Sequence, residues 1–173
     1  SPSRGLGDVY KRQIKDDKLD YQLCNLAVEL DIDIWPRLFD FWLAHPDETP
    51  LFPYLLSYEG EQRSERVLRQ IEADLPRYCV EQNDLLVPLR YLNTHPGESD
   101  AIICAALESI FDLPRGIACG IVDDWGQEFI TPAIRRSLIK ARQLSNNDVV
   151  TARIDCLLAG KHFDIGKFLN KRK

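Results

Sequence analysis

The residues best suited to chemistry in this sequence form a short acidic string around a tryptophan. Asp123, Asp124 and Glu128 flank Trp125 within the string DDWGQE. Because Gly126 follows the tryptophan, the string predicts a turn between two helices. A tryptophan ringed by charge is typical of a protein-binding surface, whereas a catalytic role would need one carboxylate to stay protonated beside the indole. A third interpretation places Trp125 in the core, with the acids facing water or capping the next helix.

A second group of charged residues is basic and lies on one predicted helix and on the C-terminal tail. Arg135 and Arg136 begin a run that continues with Lys140 and Arg142, and the segment 161–173 holds five cations against one acid. A continuous positive stripe of this kind would suit a phosphate backbone. The helix 135–142 and the tail therefore provide a nucleic-acid-binding hypothesis.

The charge of the rest of the chain favours a different partner. The net charge is −5, with 22 basic and 27 acidic residues. Residues 14–160 alone hold 14 basic and 25 acidic residues, a charge of −11. A body this acidic repels phosphate backbones and favours a basic protein as partner. We therefore expect another protein, and not nucleic acid, to be the ligand.

Histidines and cysteines give no sign of a metal site or of an activated nucleophile. The three histidines and five cysteines show no zinc-ligand spacing, and neither a G-x-S-x-G string nor a phosphate-binding glycine motif is present. His45 and His95 each precede a proline at a predicted helix end, where an imidazole complements the helix dipole. The apolar surroundings of the cysteines should raise the pKa of a thiol such as Cys104. We predict reduced thiols, no catalytic residue, no metal and no cofactor.

The elements that position these residues are predicted to be helices throughout. Apolar residues recur every three or four positions between proline-marked breaks. The most apolar segment, 99–113, is expected at the centre, with Ile110 on its buried face and Pro114 as its stop. The other predicted helices begin or end at proline, glycine or capping residues, and they span 16–30, 35–45, 61–75, 84–94, 132–144 and 149–158. Ile139 is expected to face inward.

The two ends of the chain differ from the predicted domain at 14–160. Residues 1–13 carry glycine and proline breaks without helical periodicity, and the string GLGDVYKRQ resembles a translated sequencing adapter. The chain has no methionine, so we expect that this leader is non-native or disordered and that the natural N-terminus is missing. The basic tail 161–173 is expected to fray.

A weak internal repeat suggests how the helices are arranged. The segments Leu68–Arg77 and Leu107–Arg115 both end in Asp-Leu-Pro-Arg, and the His-Pro helix stops lie 50 residues apart. A period of about 40–50 residues with two helices per unit resembles the HEAT-like superfamily over roughly residues 30–160. The resemblance implies an all-α fold of stacked helical hairpins, an α-α superhelix. An irregular helical bundle is the alternative.

These observations predict a small acidic helical scaffold that acts as a protein–protein interaction module. Such a body would suit an inhibitor or immunity-type protein that covers a basic toxin. The enzyme hypothesis would use the loop Asp123–Glu128. No apolar run approaches the roughly 18 residues that a membrane span needs, so we expect a cytoplasmic protein without a membrane partner. The acidic residues that could dock a basic protein cluster near the N-terminus, at Asp16, Asp17, Asp20, Glu29, Asp31, Asp33 and Asp40.

Overall fold

The computed structural model describes Gly5 and residues 19–57 and 61–172. Within these residues every regular element is a helix and there is no strand, which confirms the all-α prediction. The chain separates into two compact units, Ser1–Val67 and Leu68–Lys173. The predicted single domain at 14–160 and the HEAT-like arrangement stay predictions. The predicted leader, apart from Gly5, lies outside the described residues, as do Asp16 and Asp17.

The first unit is built from short helices whose starts follow the sequence signals. Its helices are α1 (Tyr21–Glu29), α2 (Trp35–Ala44) and the single turn α3 (Phe52–Leu55), which follows a 3-10 turn at Thr49–Leu51. Helix α4 (Glu61–Ala73) begins in this unit. The Asp20 carboxylate caps α1 by accepting the backbone N–H of Gln22 at 2.9 Å.

Aromatic side chains dominate the core of the first unit. The rings of Trp35 and Phe39 stack with centroids 4.8 Å apart, and Trp42 meets Phe52 edge to face at 5.5 Å. The indole N–H of Trp35 donates to the backbone carbonyl of Leu55 at 2.9 Å. Because a buried indole N–H needs a partner, this bond fixes α3 against α2.

The second unit holds a larger set of helices. They are α5 (Leu86–Asn93), α6 (Asp100–Leu107), α7 (Asp112–Trp125), α8 (Pro132–Leu144), α9 (Asp148–Leu158) and α10 (Ile165–Asn170), with 3-10 turns at Leu75–Cys79 and Gln127–Phe129. Helix α6 packs against α5, α7 and α8, and α7 also packs against α5 and α9. The predicted central segment therefore does contribute a central helix.

The break between α6 and α7 corrects the predicted helix 99–113. Helix α6 ends at Leu107, and Pro114 lies in the first turn of α7, where a missing N–H costs nothing. The buried guanidinium of Arg115 reaches back to the Ser109 carbonyl at 2.7 Å and to the Asp112 carboxylate. Ile110, expected on the buried face, is 78% exposed on this loop.

Three further expectations are corrected in the C-terminal half. Asp123 and Trp125 belong to α7 instead of a loop, and the helix ends at Gly126, whose φ of 99° suits a residue without Cβ. Ile139 is exposed, because Ser137 occupies the buried position of that turn. The tail forms α10, which Asp164 caps by accepting the N–H of Lys167 at 3.1 Å.

Candidate functional site

Trp125, proposed from the sequence as a surface anchor, is a core residue. Its side chain is 5% exposed, its indole N–H donates to the Leu92 carbonyl at 2.8 Å, and Phe129 meets its ring edge to face at 6.0 Å. Of the three interpretations of the acidic string, the one that places Trp125 in the core therefore agrees with the structure. Trp125 is buried because it lies on the inner side of α7. The sequence pattern predicted a turn at this position instead of a helix.

Asp123 lies two residues before Trp125 on α7 and is also buried. Its side chain is only 4% exposed. Its carboxylate accepts the backbone N–H of Phe163 at 3.4 Å and lies 2.8 Å from Nδ1 of His162. Nε of Arg153 lies 3.5 Å from the other oxygen. Asp123 therefore ties α9 and the start of the C-terminal segment to α7.

The other two acids of the string have different surroundings. Asp124 is exposed on α7 and lines a surface pocket. Glu128 is exposed beyond the end of the helix, and its carboxylate lies so close to Gly126 that a Cβ there would meet an oxygen at 2.7 Å. The three acids of the string therefore lie in three different surroundings.

Most cations of the predicted basic helix are already engaged within the second unit. The guanidinium of Arg135 donates to the Leu158 carbonyl at 3.3 Å. Lys140 and Arg142 form ion pairs, each at 2.5 Å, with Glu108 and Asp155 respectively. The remaining cation, Arg136, is exposed and forms no hydrogen bond or ion pair with the described residues.

The thiols of Cys104 and Cys119 are not activated for chemistry. Burial raises the pKa of Cys104, as the sequence predicts, and raises the pKa of Cys119 to about 12. A thiol with a raised pKa is a poor nucleophile because little thiolate is present. Among the described residues, no group of three or more histidine, cysteine or acidic side chains could hold a metal ion.

A groove in the first unit was not foreseen from the sequence. Its volume is about 650 Å³, and it lies between α1 and the segment of α3. Its walls carry two tyrosines and two prolines beside a valine and a glutamate, and the full lining is Tyr21, Asn25, Val28, Glu29, Pro50, Pro53, Tyr54 and Ser57. We call this the tyrosine groove. The available signal was the close spacing of Pro50, Pro53 and Tyr54 in the sequence.

Both tyrosine hydroxyls of the groove are bonded within the protein. The hydroxyl of Tyr21 donates to Glu48 at 2.7 Å, and that of Tyr54 donates to Asn25 at 2.5 Å. Burial raises the pKa of both tyrosines, and the bond to Glu48 adds to the effect at Tyr21. The two rings are tilted by 32° with centroids 6.2 Å apart. Both tyrosine side chains are partly exposed and line the groove.

The charge around the groove is strongly negative. Residues 19–57 hold seven carboxylates against one arginine, Arg37; the acids are Asp20, Glu29, Asp31, Asp33, Asp40, Asp47 and Glu48. Among these acids, Asp33 pairs with Arg63, whose guanidinium donates to it at 2.9 and 2.7 Å and lowers the pKa of the carboxyl. Glu29 lines the groove itself.

A second cavity lies between α5 and α7 of the second unit, and we call it the α5–α7 pocket. Its volume is about 350 Å³. Three aliphatic residues and a glycine form much of its wall, while one cation, one amide and one anion complete it; the lining is Leu86, Arg90, Asn93, Ile117, Gly120, Ile121 and Asp124. Of the residues singled out from the sequence, Asp124 lines this pocket and Glu29 lines the tyrosine groove.

A comparison with protein-family models, with curated proteins and with solved structures found no match to this chain. No helix among the described residues has both the length and the apolar character needed to cross a bilayer.

Proposed function

We propose that this protein is a protein-interaction module, and that its tyrosine groove binds a basic segment of a partner protein. The observation that carries the proposal is an open groove walled by tyrosine and proline, with Glu29 in its lining and Glu48 bonded to Tyr21. Tyrosine is enriched at the energetically dominant positions of protein interfaces.

The apolar part of the groove supports a partner with aliphatic or aromatic side chains. The ring faces of Tyr21 and Tyr54 are available because their hydroxyls are bonded elsewhere. Val28 is 48% exposed beside them. Burial of such surfaces contributes roughly 25 cal/mol per Å² before the costs of association are subtracted.

The carboxylates support a basic partner over a neutral or acidic one. Seven acids against one arginine within residues 19–57 create a negative potential that attracts cations and speeds their encounter. Glu29 at the groove can pair with a lysine or arginine of the bound segment. An inhibitor or immunity-type protein that covers a basic toxin is one function of this kind.

The two other hypotheses have less support. Asp123, Asp124 and Glu128 lie in three different surroundings, and neither of the two cavities described above brings the three acids together. In the basic helix, Arg135 and Lys140 already bond to groups of the second unit. A phosphate backbone would have to compete with these partners.

The proposal can be tested by panning a library of short random peptides against the purified protein and measuring the affinity of enriched peptides by fluorescence anisotropy. We expect the enriched peptides to carry a net positive charge and apolar side chains. Tyr54→Ala and Val28→Ser should each weaken binding by about tenfold or more, as expected when a central interface residue is removed.

The first unit offers matched controls for both parts of the groove. Leu43 is 46% exposed, close to the value for Val28, but does not line the groove, so Leu43→Ser should leave the affinity unchanged. Glu29→Lys should weaken binding more than Asp40→Lys, because Glu29 lines the groove whereas Asp40 adds only to the surrounding negative charge. Equal losses from the groove variants and their controls, or a set of enriched peptides without positive charge, would contradict the proposal.

A further inference from the structure

The α5–α7 pocket has a polar end and an apolar end, and a tryptophan bond shows why. The indole N–H of Trp125 donates to the Leu92 carbonyl at 2.8 Å, which brings the C-terminal ends of α5 and α7 together. Asp124 precedes this tryptophan, and Asn93 follows this leucine. Both polar residues therefore lie at the same end of the pocket, with Arg90 one turn earlier on α5.

The apolar end follows from helical spacing. Leu86 precedes Arg90 by four residues on one face of α5, since residues four apart are neighbours on a helix surface. On α7, Ile117 and Ile121 precede Asp124 by seven and three residues and share its face. The aliphatic side chains thus fill the part of the pocket that lies away from the charged end.

The two charges of the pocket are available to a ligand. Arg90 and Asp124 are both exposed, and neither forms a hydrogen bond or ion pair with any described residue. They also form no ion pair with each other, since the guanidinium nitrogens of Arg90 lie more than 4.0 Å from the carboxylate oxygens of Asp124. A ligand that bonds to them therefore displaces only water.

We propose that the α5–α7 pocket binds a free α-amino acid with an aliphatic side chain. The carboxylate of the ligand would bond to the Arg90 guanidinium and its ammonium group to Asp124, with Asn93 as a further polar partner. Both ligand charges sit on one carbon, and Arg90 lies only one helical turn from the end of the pocket that holds Asp124 and Asn93. The aliphatic side chain would pack against Leu86 and Ile117.

The size and the lining of the pocket agree with this ligand class. Its volume of about 350 Å³ lies at the small end of ligand sites, which span about 300–1,000 Å³. The lining includes no aromatic side chain, so it offers no stacking partner for a ring. A small ligand with one aliphatic branch fits these walls better than a planar one.

This proposal concerns the second unit alone and does not depend on the tyrosine groove. We would test it by saturation-transfer NMR and isothermal titration calorimetry with the full chain and L-leucine. We expect saturable binding with a dissociation constant of about 1 mM or tighter. Four probes each lack one recognised feature: glycine, N-acetylleucine, leucine amide and ε-aminocaproate, whose two charges lie at opposite ends.

Substitutions in the pocket provide the second arm of the test. Arg90→Gln and Asp124→Asn should each weaken leucine binding by about tenfold or more, because each removes a charge-assisted bond. Arg136→Gln and Glu128→Gln are matched controls, since both residues are exposed in the same unit but lie outside the pocket. The control variants should bind leucine like the unmodified protein.

The proposal stands if leucine binds and each of the four probes binds at least about tenfold more weakly, because each lacks a recognised feature. Absence of saturable leucine binding would overturn it, as would equal binding of ε-aminocaproate or glycine. Leucine binding that survives both pocket substitutions unchanged would also overturn it. Far-ultraviolet circular dichroism of each variant would confirm that these exposed positions do not disturb the fold.

Discussion

The tyrosine groove and the α5–α7 pocket are cavities of opposite character within one chain. The groove has neutral rings whose hydroxyls are bonded internally, and the surrounding residues 19–57 carry charge of mostly one sign. The pocket has aliphatic walls and one charge of each sign, neither of them engaged. One cavity therefore suits a large partner of opposite charge, and the other suits a small zwitterion.

Both cavities are nevertheless positioned by the same kind of bond. Trp35 donates its indole N–H to the carbonyl of Leu55, beside Tyr54 of the groove. Trp125 donates in the same way to Leu92, beside Asn93 of the pocket. The comparison teaches that a buried indole bonded to a helix-end carbonyl fixes a cavity wall, while the side chains around it set the ligand chemistry.

The largest expected effect is loss of either tryptophan. Trp35→Ala and Trp125→Ala should each lower the free energy of unfolding by about 3–5 kcal/mol, because a large buried side chain is removed from a core. Urea denaturation followed by circular dichroism measures the change. Trp35→Phe and Trp125→Phe should cost less, about 1–3 kcal/mol, since they leave mainly an unsatisfied carbonyl. Phenylalanine variants as stable as the unmodified protein would show that the indole bond has no special role.

A smaller effect distinguishes two neighbouring carboxylates on α7. Asp123→Asn should lower the free energy of unfolding by about 1–3 kcal/mol, because the buried carboxylate bonds to Phe163 and lies beside His162 and Arg153. Asp124→Asn should change it by less than about 0.5 kcal/mol, as expected for an exposed side chain. Thermal denaturation at neutral pH provides the comparison, and similar costs at both positions would contradict the assigned burial.

Acid titration compares one ion pair from each unit. The bond from Lys140 lowers the pKa of Glu108 below its ordinary value of 4.5, and Arg63 lowers that of Asp33 below 3.8. A carboxyl whose pKa is lower in the folded than in the unfolded protein stabilises the fold at pH values above its ordinary pKa. This contribution is lost as the pH falls through the pKa that the carboxyl has in the folded protein.

Lys140→Met and Arg63→Met should therefore flatten the fall in stability between about pH 6 and about pH 3, by less than about 1 kcal/mol for these partly exposed pairs. Urea midpoints measured across that range test the prediction. An unchanged pH dependence in both variants would show that the pairs do not persist in solution.

The smallest effect concerns thiol reactivity and leaves stability unchanged. Cys119 is fully buried with a pKa of about 12, so iodoacetamide should not modify it in the native protein at neutral pH. Cys79 is partly exposed, but its pKa is also raised by burial, so we expect it to react slowly. Peptide mass spectrometry before and after denaturation in urea measures both. Rapid native labelling of Cys119 would contradict its burial.

The sequence predicted the helical class and several helix starts because those depend on neighbouring residues. Ser99 and the segment beginning at Trp35 illustrate this, since capping and an early proline act within one turn. Pro114 shows the limit, because proline is compatible with both the end of one helix and the first turn of the next. The choice between them is made by the buried Arg115, which binds the preceding loop.

The cavities could not be predicted because they join distant parts of the chain. The bond between Tyr54 and Asn25 spans 29 residues, and that between Trp125 and Leu92 spans 33. Local patterns indicated that Trp125 was chemically unusual but did not reveal the carbonyl that buries it. Asp124 was found from composition alone, without its partners in the pocket.

The placement of the tryptophans gives the protein a built-in optical probe. Trp35 and Trp42 are the other two indoles of the chain, so emission from the second unit comes from Trp125 alone. A Trp35→Phe, Trp42→Phe double variant would isolate that fluorophore next to the α5–α7 pocket. Its emission wavelength would then follow solvent access to the end of α7, without any attached dye.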